Sequence, residues 1–280
     1  MQTTPNKKVW LVTGCSTGFG LEIARLVLQR GDYLVATARR VDKLDALKPH
    51  FEGQLLSLKL DVTEAENVSR VVRAAIREFG RIDVLVNNAG YGLTGAIEEA
   101  TDPEIREQFD TNVFGTMRLT REVLPFLRSQ GGGHILAISS VAGLVSTPGM
   151  GWYNGSKYAL EGIFEALALE TAPLGIRVTI VEPGAFRTQF AGTSMKLTKN
   201  IAAYDTTSGQ TKRLFSTLTG NQPGDPAKGA KAIVDLVDLE KPPLRLVLGN
   251  VGLNRVRGKL EAFQNLLNEW EPVTRSVDFE

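Results

Sequence analysis

Cysteine, histidine and long apolar runs are all scarce in this chain of 280 residues. Its single cysteine, Cys15, excludes an internal disulfide and is compatible with a reducing compartment. The two histidines, His50 and His134, are far apart and have no cluster of carboxylates or cysteines around them, so we predict no metal site. No apolar run approaches the roughly 20 residues needed to span a bilayer, so we predict no membrane span.

The chain also lacks a strong excess of either charge. Its 32 Lys and Arg residues nearly balance 31 Asp and Glu residues, which gives a formal net charge of +1. Without a global positive field or a basic block, nucleic acid is not an expected partner. Residues 1–8 are polar and have no apolar centre of the signal-peptide kind. We therefore expect a cytoplasmic protein.

Short apolar runs alternate with helical patterns along the chain. The pattern predicts strands at 9–13, 33–38, 55–60, 84–87, 134–139, 178–181 and 245–248, and helices at 18–30, 41–47, 64–79, 103–129, 152–172 and 227–239. The strands are continuous apolar runs, as expected for a parallel sheet covered on both faces. The sequence thus predicts a single α/β domain over residues 1–280, with a doubly wound parallel sheet of the Rossmann type.

A glycine-rich turn over residues 13–20 separates the first predicted strand from the first helix. Gly14, Gly18 and Gly20 allow the backbone to come close to a pyrophosphate, and the helix start points N–H groups at it. The spacing differs from the common Gly-x-Gly-x-x-Gly fingerprint. Asp61, Asn88, Ser140 and Pro183 follow other predicted strands at the same sheet edge, where ligands of such sheets bind.

Tyr153 and Lys157 lie one helical turn apart in the stretch Tyr153-Asn154-Gly155-Ser156-Lys157. A free tyrosine has a pKa of about 10. A lysine cation nearby favours the phenolate, so we expect Lys157 to lower the pKa of Tyr153 and to make it a usable general acid/base. Ser140 can hydrogen-bond the same reacting oxygen. Such a pair also occurs by chance on helix surfaces, and this alternative stays open on the pair alone.

Six elements together carry a family resemblance: Thr13-Gly14-x-x-x-Gly18-x-Gly20, Asn87-Asn88-Ala89-Gly90, Asn112, Ser140, Tyr153-x-x-x-Lys157 and Pro183-Gly184-x-x-x-Thr188. In this order and spacing the chain resembles the short-chain dehydrogenase/reductase family from about residue 9 to residue 188. The segments 88–93 and 156–162 are similar to the branch that contains 17β-hydroxysteroid and retinol dehydrogenases.

The resemblance implies a role for each member of a catalytic set. Tyr153 would exchange a proton with the substrate oxygen, and Ser140 would hold that oxygen. Lys157 would lower the tyrosine pKa and bond the nicotinamide ribose, and Asn112 would hold a water that links Lys157 to solvent. The implied cofactor contacts are Gly14, Ser16, Thr17, Gly18, Phe19, Gly20, Arg39, Arg40, Asp61, Val62, Asn88, Ala89, Gly90, Tyr153, Lys157, Pro183, Gly184 and Thr188.

The end of the second predicted strand bears on the choice of cofactor. Ala38 occupies the place where a carboxylate would bind the adenosine ribose, and Arg39 follows it. A guanidinium there can bind a 2′-phosphate, so the sequence favours NADP(H) over NAD(H). Thr17 stands where a basic residue would have strengthened this interpretation. The alternative is that Arg39 and Arg40 form only a solvated basic turn.

The resemblance predicts a hydrophobic carbonyl substrate. Ser140, Leu144, Trp152, Tyr153, Phe186 and Phe190 are its expected contacts, and the polar segment 189–226 is either a lid over it or an ordinary exposed loop. Residues 253–280 form a helical extension. We expect NADPH-dependent reduction of a ketone or aldehyde, or oxidation of the corresponding secondary alcohol; a steroid, a retinoid-like lipid and a bulky aryl ketone stay open as substrates.

Other functions and assemblies are compatible with the same residues. An NAD-dependent alcohol dehydrogenase of this fold and a non-catalytic NADP(H)-binding sensor are alternatives. A sugar-nucleotide epimerase is disfavoured because the chain lacks its glycine spacing and its larger C-terminal substrate domain. The resemblance also implies a homodimer or homotetramer, assembled through the helices predicted near 104–129 and 152–172.

Overall fold

Parallel strands form a seven-stranded main sheet. The computed structural model describes residues 7–218 and 220–279, so most of the polar stretch 1–8 lies outside the described residues, as do Thr219 and Glu280. The strands are β1 (Val9–Val12), β2 (Tyr33–Ala38), β3 (Leu55–Lys59), β4 (Val84–Asn87), β5 (Gly92–Thr94), β6 (Gly133–Ile138), β7 (Ile176–Pro183), β8 (Met195–Leu197) and β9 (Arg245–Leu248). The main sheet has the order β3-β2-β1-β4-β6-β7-β9, and β5 pairs with β8 separately. The predicted doubly wound parallel sheet is confirmed.

Helices cover both faces of this sheet. They are α1 (Gly18–Gln29), α2 (Asp42–Asp45), α3 (Ala65–Phe79), α4 (Asp102–Phe109), α5 (Thr116–Ser129), α6 (Gly151–Thr171), α7 (Gln210–Leu218), α8 (Pro226–Asp235) and α9 (Asn250–Arg275). No helix in the described part of the chain combines the length and apolar character of a bilayer span. The cytoplasmic location stays a prediction.

The alternation of side chains along β1 separates two apolar cores. Trp10 packs into the core shared with Ile23 of α1 and Ile233 of α8. Leu11, the next residue, points to the other face, into the core that contains Phe164 of α6 and Leu119 of α5. Burying each such side chain stabilises the fold by about 1.5–3 kcal/mol. The two cores hold the sheet rigidly, and its carboxyl edge is left for polar groups.

The helical stretch predicted over 103–129 is confirmed, but it contains a widened turn. Residues Asp110–Gly115 form a π-helical segment between α4 and α5. Such segments are rare and often lie at functional sites, and this one contains Asn112. The sequence did not predict this turn, because apolar spacing does not distinguish one widened turn from an ordinary one.

The segment 189–226 contains more regular structure than its polar sequence indicates. Strand β8 pairs with β5, a second π-helical segment spans Asp205–Gly209, and α7 follows it directly. Strand β8 and helix α7 therefore give this segment strand pairing and helical hydrogen bonds of its own. Its role as a lid stays a prediction.

A buried carboxylate clamps this segment to the body of the protein. Glu99 accepts hydrogen bonds from the Ala96 N–H at 2.7 Å, the Ile201 N–H at 2.8 Å, the Lys212 ammonium at 2.9 Å and the Ser208 hydroxyl at 3.0 Å. Burial by itself raises the pKa of Glu99, but these hydrogen bonds outweigh it and lower the pKa to about 2. The clamp therefore fixes the middle of the segment 189–226.

We expect the Glu99→Gln variant to be less stable by about 3–5 kcal/mol at neutral pH, because it leaves Lys212 buried without an opposite charge. Since the folded-state pKa of Glu99 lies below its ordinary value of 4.5, this stabilisation is present above pH 4.5 and is lost as the pH falls towards 2. Urea unfolding of both proteins, at neutral and at acid pH, measures the difference.

The exposed neighbour Glu98, which accepts a hydrogen bond from Tyr204, provides the matched control. Glu98→Gln is expected to change the free energy of unfolding by no more than about 0.5 kcal/mol. Equal stabilities of Glu99→Gln and the wild type at neutral pH would contradict the clamp.

Candidate active site

A cleft of about 690 Å³ opens at the carboxyl edge of the main sheet. Most of the residues predicted from the sequence line it: Gly14, Ser16, Thr17, Gly18, Phe19, Arg39, Arg40, Asp61, Val62, Asn88, Ala89, Gly90, Ser140, Tyr153, Lys157, Pro183, Gly184, Phe186, Thr188 and Phe190. Four others do not line this cleft: Gly20, Asn112, Leu144 and Trp152.

The turn between β1 and α1 presents backbone groups to the cleft. Gly14 has a φ of +70°, which side chains rarely permit, and a Cβ on Gly20 would lie 2.3 Å from the Gly14 carbonyl oxygen. Thr17, the N-cap of α1, makes no side-chain cap hydrogen bond, so the first N–H groups of α1 are available to an anion. The Cys15 thiol is buried under the turn, and burial raises its pKa to about 12.

Asn88 holds this turn in place from the neighbouring strand. Its side-chain amide donates to the Thr13 carbonyl at 2.8 Å and to the Gly14 carbonyl at 3.2 Å. The backbone N–H groups of Asn88 and Ala89 both donate to the Thr13 hydroxyl at 2.9 Å. Asn88 therefore supports the shape of the glycine turn, and its direct contact with a cofactor stays a prediction.

Tyr153, Lys157 and Ser140 meet at the floor of the cleft. The Lys157 Nζ lies 5.9 Å from the centroid of the Tyr153 ring, and it donates to the Ile138 carbonyl at 2.9 Å. The Ser140 hydroxyl accepts from the Ala142 N–H at 3.0 Å, and it donates a long bond of 3.4 Å to the Pro183 carbonyl. The structure thus brings together the three side chains that the sequence predicts for proton transfer.

Burial dominates the acid–base properties of this site. It raises the pKa of Tyr153 to about 12, and a hydrogen bond with Ser140 offsets only part of that increase. Burial also lowers the pKa of Lys157 to about 8, against the opposing charge of Glu161. Burial therefore outweighs the hydrogen bond with Ser140 in setting the pKa of Tyr153, and the lowering of that pKa by Lys157 stays a prediction.

Asn112 lies behind the cleft, in the π-helical segment. Its side-chain amide donates to the Tyr91 carbonyl at 2.9 Å and to the Ser156 hydroxyl at 3.1 Å, while its oxygen accepts from the Tyr91 N–H at 3.1 Å. Asn112 thus ties the loop after β4 to α6, the helix that carries Tyr153. The predicted bound water stays a prediction.

A group of charged side chains lies on the far side of Lys157 from the cleft. The Arg245 guanidinium pairs with Glu161, with Glu182 at 3.0 Å and with Glu165 at 2.6 Å. Glu182 is completely buried, and burial together with the charge of Glu161 raises its pKa to about 7. One buried carboxylate, Glu161, therefore lies one helical turn from Lys157 and favours its charged form.

The end of β2 places two free cations at the rim of the cleft. Arg39 and Arg40 are exposed, and neither forms a hydrogen bond or an ion pair with any residue that the structure describes. Ala38 before them is buried. Asp61 follows at the end of β3; burial raises its pKa, but hydrogen bonds from Thr63 and the charge of Arg39 give a net decrease. Both arginines can meet a ligand at this rim.

Aromatic side chains form one wall of the cleft. The rings of Tyr153 and Phe190 lie 5.5 Å apart, and those of Phe19 and Phe186 lie 4.9 Å apart. Phe190 follows Thr188, whose hydroxyl accepts from the Phe190 N–H at 3.2 Å. The cleft therefore joins a polar floor to an apolar wall.

Two of the predicted substrate contacts lie elsewhere. The Trp152 indole donates to the Ile97 carbonyl at 3.1 Å, and the Leu144 carbonyl accepts from the Tyr158 hydroxyl at 2.6 Å. Neither residue lines the cleft. Both residues are close in sequence to Ser140 or Tyr153, but this does not place them at the cleft. Trp152 is the second residue of α6, and its side chain points away from Tyr153.

The first 198 residues of the chain contain a match to a known protein family. Residues 8–198 match the family described as short chain dehydrogenase. The chain belongs to this family. It is also 36% identical to human retinol dehydrogenase 8 over 253 residues, which covers 84% of this chain and 79% of that protein. A 3-ketodihydrosphingosine reductase of Bacteroides thetaiotaomicron is 36% identical over 244 residues, with 86% of this chain and 88% of that protein covered.

Solved structures of the family agree with the fold. A short-chain dehydrogenase from Streptomyces avermitilis is 44% identical and superposes with a TM-score of 0.93, covering 98% of this chain and all of that one. ElxO, solved with NADP bound, is 27% identical with a TM-score of 0.73 and covers 89% of this chain and all of that one. A family structure from Burkholderia phymatum, solved with NAD, is 23% identical with a TM-score of 0.81, covers 93% of this chain and 95% of that one, and shows the fold alone.

Several residues of this short-chain dehydrogenase line the cleft without having been predicted. Leu214 comes from α7, and Val251, Gly252 and Arg255 come from the start of α9. The sequence signal for Leu214 is weak, because it stands in a polar segment. Nothing in the sequence brings α9 to the cleft, since that contact depends on β9 pairing with β7 at the sheet edge.

We expect Glu161→Gln to move the alkaline limit of dehydrogenase activity to lower pH. The negative charge of Glu161 raises the pKa of Lys157, so its removal lowers that pKa further below the ordinary value. The ammonium is then lost earlier as the pH rises. The pH profile of kcat/KM measures the shift.

Glu165→Gln provides the matched control for this charge effect. Glu165 also pairs with Arg245, but it is exposed. Its variant is expected to keep the wild-type profile, since solvent screens its charge. A Glu161→Gln profile identical to that of the wild type would show that Glu161 does not act on Lys157.

Proposed function

We propose that this chain is an NADP(H)-dependent oxidoreductase that reduces a hydrophobic ketone or aldehyde, or oxidises the corresponding secondary alcohol. The observation that carries the proposal is the meeting of Tyr153, Ser140 and Lys157 on the floor of a cleft whose opposite end is a glycine turn. A bound nicotinamide dinucleotide would supply the hydride chemistry. The free N–H groups of α1 and the bare backbone at Gly14 fit the phosphates of such a molecule.

The protein's own contribution is orientation and proton delivery. With a pKa of about 12, Tyr153 carries its proton at neutral pH and can give it to a substrate oxygen during reduction. The Ser140 hydroxyl accepts from the Ala142 N–H and donates only one long bond, to the Pro183 carbonyl, so its hydrogen can turn to the same substrate oxygen. The Lys157 ammonium then faces the phenolate that remains and stabilises it.

The cation pair at the end of β2 supports a preference for NADP(H). Arg39 and Arg40 are exposed, line the cleft and have no partner among the described residues. Ala38 provides no carboxylate that would repel a 2′-phosphate, and a guanidinium binds phosphate with paired donors. ElxO, which binds NADP, has the same fold.

The apolar wall supports a hydrophobic substrate. Phe186 and Phe190 face the floor that holds Tyr153, and Met150 and Leu214 extend the wall. Human retinol dehydrogenase 8 and the bacterial 3-ketodihydrosphingosine reductase, both 36% identical to this chain, are named for lipid-like substrates. We infer an alcohol or carbonyl group on a long or bulky apolar body.

Tyr153→Phe is expected to lower kcat by about 100- to 10,000-fold, because it removes the phenol proposed to exchange the proton with the substrate oxygen. Binding of the dinucleotide, followed by fluorescence or calorimetry, is expected to stay within a few fold. Turnover is measured with a panel of retinoid, steroid, sphingoid and aryl ketones.

Tyr158→Phe removes a phenol from the same helix, but that hydroxyl bonds only the Leu144 carbonyl, and Tyr158 does not line the cleft. It is expected to keep wild-type turnover. Full turnover in Tyr153→Phe would overturn the catalytic assignment. Dinucleotide binding without turnover in the wild type, on every substrate tried, would favour the sensor alternative.

Arg39→Ala is expected to weaken NADPH binding by about 10- to 100-fold and to leave NADH binding nearly unchanged, since a bond to a charged group contributes about 1.5–3 kcal/mol. Dissociation constants for both dinucleotides in both proteins measure the effect. Lys43→Ala, which removes a nearby cation that does not line the cleft, is the control. Equal affinities of the wild type for NADPH and NADH would favour the NAD-dependent alternative.

A further inference from the structure

The C-terminal helix leaves the body of the protein soon after it begins. Helix α9 spans Asn250–Arg275, and only Gly252 and Val256 of its residues are buried. Every residue from 257 to 275 is exposed. At 1.5 Å per residue, this projecting part is about 28 Å long. A single helix of this length is only marginally stable in water, because helices in proteins owe most of their stability to packing.

The projecting part carries an apolar stripe with a regular period. The stripe begins at Val256 and continues at alternating spacings of four and three residues with Leu260, Phe263, Leu267 and Trp270; Thr274 stands at the next position. Leu260, Phe263 and Trp270 are 62%, 52% and 53% exposed. This is the repeat of a helix that packs along a second helix, and we call these residues the α9 seam.

We propose that the α9 seam is an interface between two copies of this chain, in which the two projecting helices pack side by side in opposite directions. The inference does not depend on the proposed function. Because the seam begins at Val256, which is still buried against the body, the pair would continue the apolar core outwards. It would give the exposed leucine and aromatic side chains the packing that a single copy does not provide.

The residues that flank the seam fix the opposite direction. On one edge stand Arg257, Gln264 and Glu271, so an antiparallel pair with its two-fold axis near Asn265 brings Arg257 of each copy opposite Glu271 of the other. A parallel pair would instead place Glu271 opposite Leu266, with no complementary charge.

On the second edge of the seam stand Lys259, Leu266 and Val273, and the same register sets Lys259 opposite Val273. An axis near Asn265 brings Leu266 of one copy opposite Leu266 of the other, and it pairs Leu260 with Trp270 and Phe263 with Leu267. Pro272, in the last turn, lies away from the seam and does not obstruct the contact. The charges of the first edge, the Leu266 contact and the seam therefore agree on one axis.

The charges disfavour a lipid surface as the occupant. Interfacial helices carry an excess of Lys and Arg on their polar face. Between residues 257 and 275, the cations Arg257, Lys259 and Arg275 are balanced by Glu261, Glu269 and Glu271. A neutral helix with internal charge complementarity fits a protein partner better than an anionic membrane.

The first test measures the mass of the full-length protein in solution by light scattering and sedimentation. The wild type is expected at twice the 30.5 kDa of the chain, or at a higher multiple if a second interface also forms. The double variant Leu260→Glu with Leu267→Glu is expected to have half the wild-type mass, because the dissociation constant of the α9 contact rises about 100-fold or more. The control, Asn265→Glu with Asn268→Glu, adds the same charge away from the seam and is expected to assemble as the wild type does.

The second test fixes direction and register. Gln264 lies on the edge where the antiparallel arrangement brings it opposite its own copy, so Gln264→Cys is expected to form a disulfide-linked dimer under mild oxidation. Asn265→Cys, which points away from the seam, is the control. The native Cys15 is buried and does not compete.

Three results would overturn the proposal. They are a wild type that stays at the mass of one chain at all concentrations, a seam variant that assembles as the wild type does, and a Gln264→Cys protein that cross-links no more than Asn265→Cys. Sedimentation with vesicles of neutral and of anionic lipid tests whether a membrane binds the α9 seam instead. Vesicle binding by a monomeric wild type, lost in the seam variant, would assign α9 to a membrane instead.

Discussion

A buried ammonium group is the constraint on which this site depends. Lys157 lies beneath the cleft with one carbonyl partner, at Ile138, and its charge is tolerated because Glu161 lies one turn away. Glu161 in turn is held by Arg245, which also pairs with the completely buried Glu182. Lys157 and Glu161 thus each have an opposite charge nearby, since an uncompensated buried charge would cost several kcal/mol. The polar floor of the cleft is therefore supported by electrostatics as well as by packing.

Two asparagines hydrogen-bond the backbone of the loops around the cleft. Asn88 satisfies carbonyls of the glycine turn, and Asn112 satisfies both backbone groups of Tyr91. An amide has donors and an acceptor in one plane, so it can replace the strand partner that a loop lacks. These contacts hold three segments, from β1, β4 and α6, in fixed positions around the cleft. Asn112, which does not line the cleft, thus helps to position the helix that carries Tyr153.

Much of the fold could be predicted from the sequence, because a buried parallel sheet leaves continuous apolar runs. All seven strands of the main sheet were predicted in this way. Strands β5 and β8 were not, since three residues are too short to show a period. The helix α7 was missed for a different reason: its segment is polar, and its anchor, Lys212 on Glu99, pairs residues 113 positions apart.

In the candidate site, too, residues in local motifs could be predicted from the sequence, and contacts that depend on the assembled fold could not. Motif residues such as Gly14, Ser140 and Lys157 lie at the cleft because each follows, or is tied to, a strand end. Leu144 and Trp152 were assigned by nearness in sequence to Ser140 and Tyr153, and the structure places them outside the cleft. The direction of the Tyr153 pKa could not be read from helical spacing, because burial is a property of the assembled fold.

The position of Cys15 has a consequence for chemical resistance. Reagents that oxidise or alkylate cysteine attack the thiolate, and a thiol whose pKa is raised to about 12 forms very little of it at physiological pH. The loop proposed to receive the pyrophosphate therefore carries no negative sulfur of its own. Oxidising or reducing surroundings are therefore not expected to change its capacity to bind an anion.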